Sequence, residues 1–129
     1  MDTHQVTTFD AGTAVQGRSI EGLRIFSTGG AGKPVFYSQA TVHAREWLAT
    51  PTPLFVVGQL LEQWVAGDAA VAPLVEAFGF VIVPLVNKGG YDFTWTNRRL
   101  WRKNRSSNPG TKNSLGAGLY RNWGPADTW

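Results

Sequence analysis

The apolar pattern changes character several times along the chain, and each change predicts an element. Lys33-Pro-Val-Phe-Tyr-Ser-Gln-Ala40 reads as a buried strand. From Pro51 the spacing becomes helical: Leu54, Val57, Leu60, Leu61, Trp64 and Val65 form one apolar stripe, and Gln59, Glu62 and Gln63 lie off it toward solvent. A shorter helix follows, with Val71, Leu74, Val75 and Phe78 at helical spacing, Asp68 placed to cap it, Pro73 marking its start and Gly79 its end. Phe80-Val-Ile-Val-Pro-Leu-Val86 is continuously apolar and rich in β-branched residues, as a strand buried on both faces should be. The order strand, helix, helix, strand predicts a right-handed crossover and a parallel pair.

The flanks carry weaker patterns. Residues 1–17 show no clear period and read as an extended lead-in. In Arg18–Ser27, Gly22 divides two short runs, which suits a hairpin, and Gly29-Gly30-Ala31-Gly32 makes a turn. After Asn87 the chain turns to Gly, Asn, Ser, aromatics and Arg with little periodicity. Irregular segments of that length are uncommon unless functional or disordered, and Trp95, Trp101 and Trp123 argue against disorder. The expected organisation is a lead-in (1–17), a sheet and helix core (18–86) and basic loops (87–129). The expected fold class is α/β, with a mixed, mostly parallel sheet flanked by helices.

Composition sharpens this in two ways. At 129 residues, with 43% hydrophobic and 16% charged, the chain is one globular domain at most and not a disordered one. Its net charge of +3 conceals an asymmetry. Lys88, Arg98, Arg99, Arg102, Lys103, Arg105, Lys112 and Arg121 are opposed over their span only by Asp92, so this half attracts anions. There is no cysteine, which removes disulfide and thiolate-metal chemistry. No apolar run is long enough for a membrane span. Met1-Asp-Thr-His-Gln-Val6 lacks the basic and apolar regions of a secretory signal.

The chemistry concentrates in Thr41-Val-His-Ala-Arg-Glu-Trp47. His43 and Glu46 are three apart, so on one helical turn both would point to the same side. An imidazole nitrogen and a carboxylate oxygen suit zinc, which in hydrolytic sites takes three protein ligands and a water. An isolated H-x-x-E is ordinarily a loop histidine and a solvated charge. Here it follows a strand and enters a helix, the place where open α/β sheets carry their sites.

In that context, His43-Ala-Arg-Glu-Trp47 resembles the zinc-binding signature of the M14 zinc carboxypeptidases of the carboxypeptidase A type. Arg99-Leu-Trp-Arg-Lys103 is similar to a second family segment, and Leu119-Tyr-Arg-Asn-Trp123 to a third. The resemblance implies that His43 and Glu46 bind Zn2+ and that Arg102 polarises the scissile carbonyl, a task suited to a cation that keeps its proton. It further implies that Arg45 and Arg99 line substrate subsites and that Arg121 grips the free C-terminal carboxylate of a peptide through a guanidinium fork. The implied reaction is hydrolysis of the C-terminal peptide bond, and the implied location is outside the cell.

Departures accompany the match. Tyr120 stands where the family has the carboxylate-binding Asn, and Gly118 where it has an Asp that hydrogen-bonds the first zinc histidine. Asn87-Lys-Gly-Gly90 replaces an Asn-Pro-Asp-Gly turn. The family's third ligand, its general-base glutamate and its substrate-covering tyrosine lie beyond the matched segments, and the remaining histidine, His4, is in the lead-in. The expectation is therefore a partial catalytic domain with an incomplete zinc site and no useful peptidase activity of its own, prone to self-association through an uncovered sheet edge. The alternative is a non-catalytic module that binds peptide C-termini through Arg121. Nucleic-acid binding by the Arg/Lys segment, with Tyr91, Trp95 and Trp101 stacking on bases, is not expected, because the peptidase resemblance already accounts for those positions.

Overall fold

The computed structural model describes residues 5–26, 32–108 and 115–119. Its frame is a four-stranded sheet built from β1 (Gln5–Thr13), β2 (Ser19–Phe26), β3 (Val35–Gln39) and β4 (Gly79–Val83), in the spatial order β1-β2-β4-β3. β1 and β2 are antiparallel, β2 and β4 antiparallel, and β3 and β4 parallel, so the sheet is mixed with one parallel pair. The connection from β3 to β4 runs through α1 (Pro51–Val65) and α2 (Ala72–Ala77). This is the strand, helix, helix, strand order and the parallel pair that the apolar pattern predicts.

β4 is the centre because it can be. Four of its five residues are buried, and Ile82 is fully enclosed. Ile25 of β2, Phe80 and Ile82 of β4 and Val57 of α1 form the core, with Leu60 and Leu61 packed against it. Only part of the α1 stripe is covered: Val57 is buried, whereas Leu54 and Val65 are exposed. Asp68 serves the turn before α2 and not the helix itself, since Oδ1 accepts from the backbone N–H groups of Ala70 (2.8 Å) and Val71 (3.2 Å).

Several sequence expectations change. The stretch expected to be an extended lead-in contains β1, an integral edge of the sheet that pairs with β2 along its whole length. The hairpin is β1–β2, closed at residues 14–18 by Ala14 N–H to Arg18 O and Gly17 N–H to Ala14 O, both 2.8 Å, with Gly17 at φ +77°. Gly22 therefore does not divide two strands. It sits buried in the middle of β2, where the Phe9 ring crosses it and leaves no room for a Cβ. β3 is not a buried strand but an edge, with Val35, Phe36 and Tyr37 49%, 56% and 56% exposed.

The segment after Asn87 is also not irregular throughout, because Lys88–Thr96 forms a helix, α3. Its sequence, with two glycines and, apart from Lys88, only residues of lower helix propensity, hides this. The helix starts because Asn87 caps it, its Oδ1 accepting from Gly90 N–H at 3.1 Å. Its glycines answer to packing: a Cβ at Gly90 would run into the Lys103 carbonyl and the Asn87 side chain.

Candidate active site

The site lies at the carboxyl ends of the parallel pair. β3 and β4 stay joined for one more bond, Ala40 N–H to Val83 O at 2.9 Å, and the two chains then diverge into the loops that carry the candidate residues. Thr41 is buried and has φ +54°. Past it the chain forms tight turns, with Glu46 N–H donating to His43 O at 3.1 Å and Ala49 N–H to Glu46 O at 3.0 Å, before a single 3-10 turn at Trp47–Ala49.

His43 and Glu46 meet in this turn and not on a helix. His43 Nδ1 lies 2.9 Å from Glu46 Oε1, with the imidazole largely covered (16% exposed) and the carboxylate open to solvent (52%). Spacing by three brings them together as expected, but the cause is loop geometry. Two donors bound at ~2.0–2.2 Å in a tetrahedral zinc site sit roughly 3.4 Å apart, so the observed pair, at hydrogen-bond distance, would open by about half an ångström to share one ion. Among the described residues no cluster of three or more His, Cys, Asp or Glu surrounds it. His4 lies outside the described residues.

The arginines take distinct positions. The Arg102 backbone is tied directly to the His43–Glu46 loop, its carbonyl accepting from Ala44 N–H at 3.2 Å; Ala44 is fully buried. Arg99 reaches the same loop from another direction: Nη1 donates to the Arg45 carbonyl at 3.0 Å, and its guanidinium lies 3.7 Å from the centroid of the Trp47 ring. Trp47 in turn stacks on Trp95 (3.8 Å, 9°) and donates from Nε1 to Thr94 Oγ1 at 2.8 Å, which fixes the end of the His43–Glu46 loop on α3. Arg45 itself is exposed. Arg121 and Tyr120 lie outside the described residues. At Gly118 an added Cβ would meet nothing within 4 Å.

Other basic residues of this half are engaged in structure. Lys88 Nζ donates to Ser19 O at 3.2 Å and is 3.7 Å from Glu21, while Arg105 lies over the Phe93 ring at 3.8 Å. Arg18 of the hairpin turn pairs with Asp92 on α3.

Two residues that sequence reasoning did not place in the site hold it together. Asn87 is buried; besides capping α3, its Nδ2 donates to Val42 O at 3.0 Å and to Lys103 O at 3.1 Å. One amide thus joins the His43–Glu46 loop, α3 and the Arg102 loop. An Asn placed before two glycines was the available signal. The other residue is Thr41, and nothing in its identity announces a left-handed backbone.

The profile of the family described as "Zinc carboxypeptidase" matches residues 1–129. The chain belongs to the zinc carboxypeptidase family. A metallocarboxypeptidase A-like protein of Trichophyton verrucosum is 40% identical over 114 residues, which cover 88% of this chain and 26% of the fungal protein. Among solved structures, thrombin activatable fibrinolysis inhibitor superposes with a TM-score of 0.81 at 29% identity, covering 91% of this chain and 29% of that one. Carboxypeptidase A of Helicoverpa armigera superposes at 0.77 and 34% identity, covering 92% and 29%. The mixed sheet with its helices is thus a zinc carboxypeptidase-like α/β arrangement, and the chain spans between a quarter and a third of these relatives. No helix among the described residues is long and apolar enough to cross a membrane.

Proposed function

We propose that this chain supplies the first metal ligands and the substrate-polarising arginine of a zinc-dependent carboxypeptidase that removes C-terminal residues from peptides and proteins. The observation that carries the reading is the His43–Glu46 pair, 2.9 Å apart at the end of the parallel strands and backed by the Arg102 loop through Ala44 N–H. Zinc, when bound by His43 and Glu46, supplies Lewis acidity toward water and carbonyl. Arg102 presents a permanent positive charge to the carbonyl oxygen as it gains charge, Arg121 pairs with the terminal carboxylate of the substrate, and Arg45 and Arg99 contact residues further along the peptide. By the same family reasoning it works outside the cell. The 129-residue polypeptide alone binds zinc through an incomplete donor set and turns over no peptide, since two donors and no general base are assigned in it.

Zinc affinity of the 129-residue chain, measured by chelator competition, tests the ligand assignment. His43→Gln and Glu46→Gln are each expected to weaken it by at least ~10-fold; unchanged affinity in both overturns the assignment. The same protein should release no amino acid from peptides, and chelator-sensitive release contradicts the partial-site reading. Peptides with free and amidated C-termini separate catalysis from simple capture, because a binding module would prefer the free carboxylate without cleaving it.

The open side of β3 supports a further reading, that this polypeptide self-associates. Val35, Phe36 and Tyr37 are exposed on a strand with no neighbour on that side among the described residues.

A further inference from the structure

The backbone two residues before His43 does what a threonine seldom does. Thr41 holds the only positive φ at a non-glycine position among the described residues, +54°. A β-branched side chain there is strained, and such a conformation persists only where its surroundings hold it.

The surroundings are specific. Thr41 is 1% exposed. Its Oγ1 lies 2.6 Å from Thr50 Oγ1 and donates to the Pro84 carbonyl at 3.1 Å, and its carbonyl accepts from Asn87 N–H at 3.2 Å. A hydroxyl has one proton. If Thr41 gives its proton to Pro84, it must accept from Thr50, so the order is Thr50 to Thr41 to Pro84. This chain of hydroxyls ties the start of α1, the ligand loop and the loop after β4 at one point. The left-handed residue turns the path away from the line of β3, and within two residues the Val42 carbonyl meets Asn87 and the His43 ring meets Glu46.

We propose that Thr41 is a positioning residue for the metal ligands, holding His43 toward Glu46 through the Thr50–Thr41–Pro84 hydroxyl chain. Its metal arm rests on the reading of His43 and Glu46 as ligands, while its geometric arm does not. The hydroxyls bond to each other and, from Thr41, to Pro84, so removing them changes orientation and leaves the donor set intact.

Three variants of the 129-residue chain test this. Thr41→Val keeps shape and branching but removes the hydroxyl, Thr41→Ser keeps the hydroxyl, and Thr50→Val cuts the same chain from its other end. Two readouts are needed. The imidazole nitrogen chemical shifts of His43 in metal-free protein report a Nδ1 proton shared with Glu46, and His4 is the only other histidine to resolve. Zinc affinity by chelator competition is the second.

Thr41→Val and Thr50→Val are expected to lose the Nδ1 signature and to bind zinc about tenfold more weakly or worse, in the range typical of lost supporting contacts. Thr41→Ser retains both. Wild-type His43 shifts in Thr41→Val and Thr50→Val overturn the proposal, and if Thr41→Val does not fold, Thr50→Val decides it. If the wild type binds no zinc but the shifts respond as expected, the ligand assignment fails and the role of Thr41 stands. If zinc binds and the shifts do not respond, the reverse holds.

Discussion

A single buried amide, that of Asn87, makes contacts that a backbone alone could not: it caps α3 and satisfies carbonyls of the His43–Glu46 loop and of the Arg102 loop. Replacing it with alanine removes a cap worth ~1 kcal/mol and leaves part-buried carbonyls without their donor, so Asn87→Ala should cost about 2 kcal/mol or more. A urea unfolding midpoint measures this, and a loss within a few tenths would show that water replaces the amide. His43 and Glu46 are legible in the sequence because a spacing of three closes in a turn as well as on a helix. Thr41 and Asn87 are less so. A threonine reveals nothing of its φ until Thr50 and Pro84 are found around its hydroxyl, and the partners of Asn87 sit forty-five and sixteen residues away.

At the level of elements, α1 announces itself by the period of its apolar stripe, although Val57 alone of that stripe is buried, and β4 by a β-branched run that is buried. β1 and α3 do not. β1 is a sheet edge whose described side chains are mostly exposed, so no alternation marks it. α3 is built on glycines that helix propensity argues against, and it exists because Asn87 starts it and close packing of Gly89 and Gly90 rewards it. Two substitutions of the same kind separate these causes. Gly58 lies inside α1 with open space where a Cβ would go, so Gly58→Ala should stabilise by about 0.5–1 kcal/mol through helix propensity. Gly90→Ala should instead destabilise by roughly 1–3 kcal/mol, because the added carbon meets the Asn87 amide and the Lys103 carbonyl. Equal effects in chemical denaturation would mean that propensity alone governs both helices.

For the whole molecule, β3 is a sheet edge with no strand on its outer side among the described residues. Its three exposed apolar residues on an unpaired edge predict concentration-dependent association of the 129-residue polypeptide. Phe36→Lys should shift the sedimentation profile toward monomer, since a charge on an edge strand opposes pairing with another chain; an unchanged profile would place any association elsewhere. The expectation of such an edge came from the resemblance and not from the local pattern, which reads Lys33–Ala40 as buried.

The pairing of β3 with β4 joins residues some forty positions apart, Val35 with Gly79 and Gln39 with Val83, and the bond from Ala44 to Arg102 joins residues further apart still. The β1–β2 hairpin, by contrast, is assembled from neighbours. Distant contacts form later than local ones because a larger loop must close first. During synthesis, then, the hairpin can settle soon after it leaves the ribosome, whereas the loop that carries His43 and Glu46 gains its bond to the Arg102 carbonyl, and Asn87 its bond to the Lys103 carbonyl, only once the polypeptide has grown past Lys103.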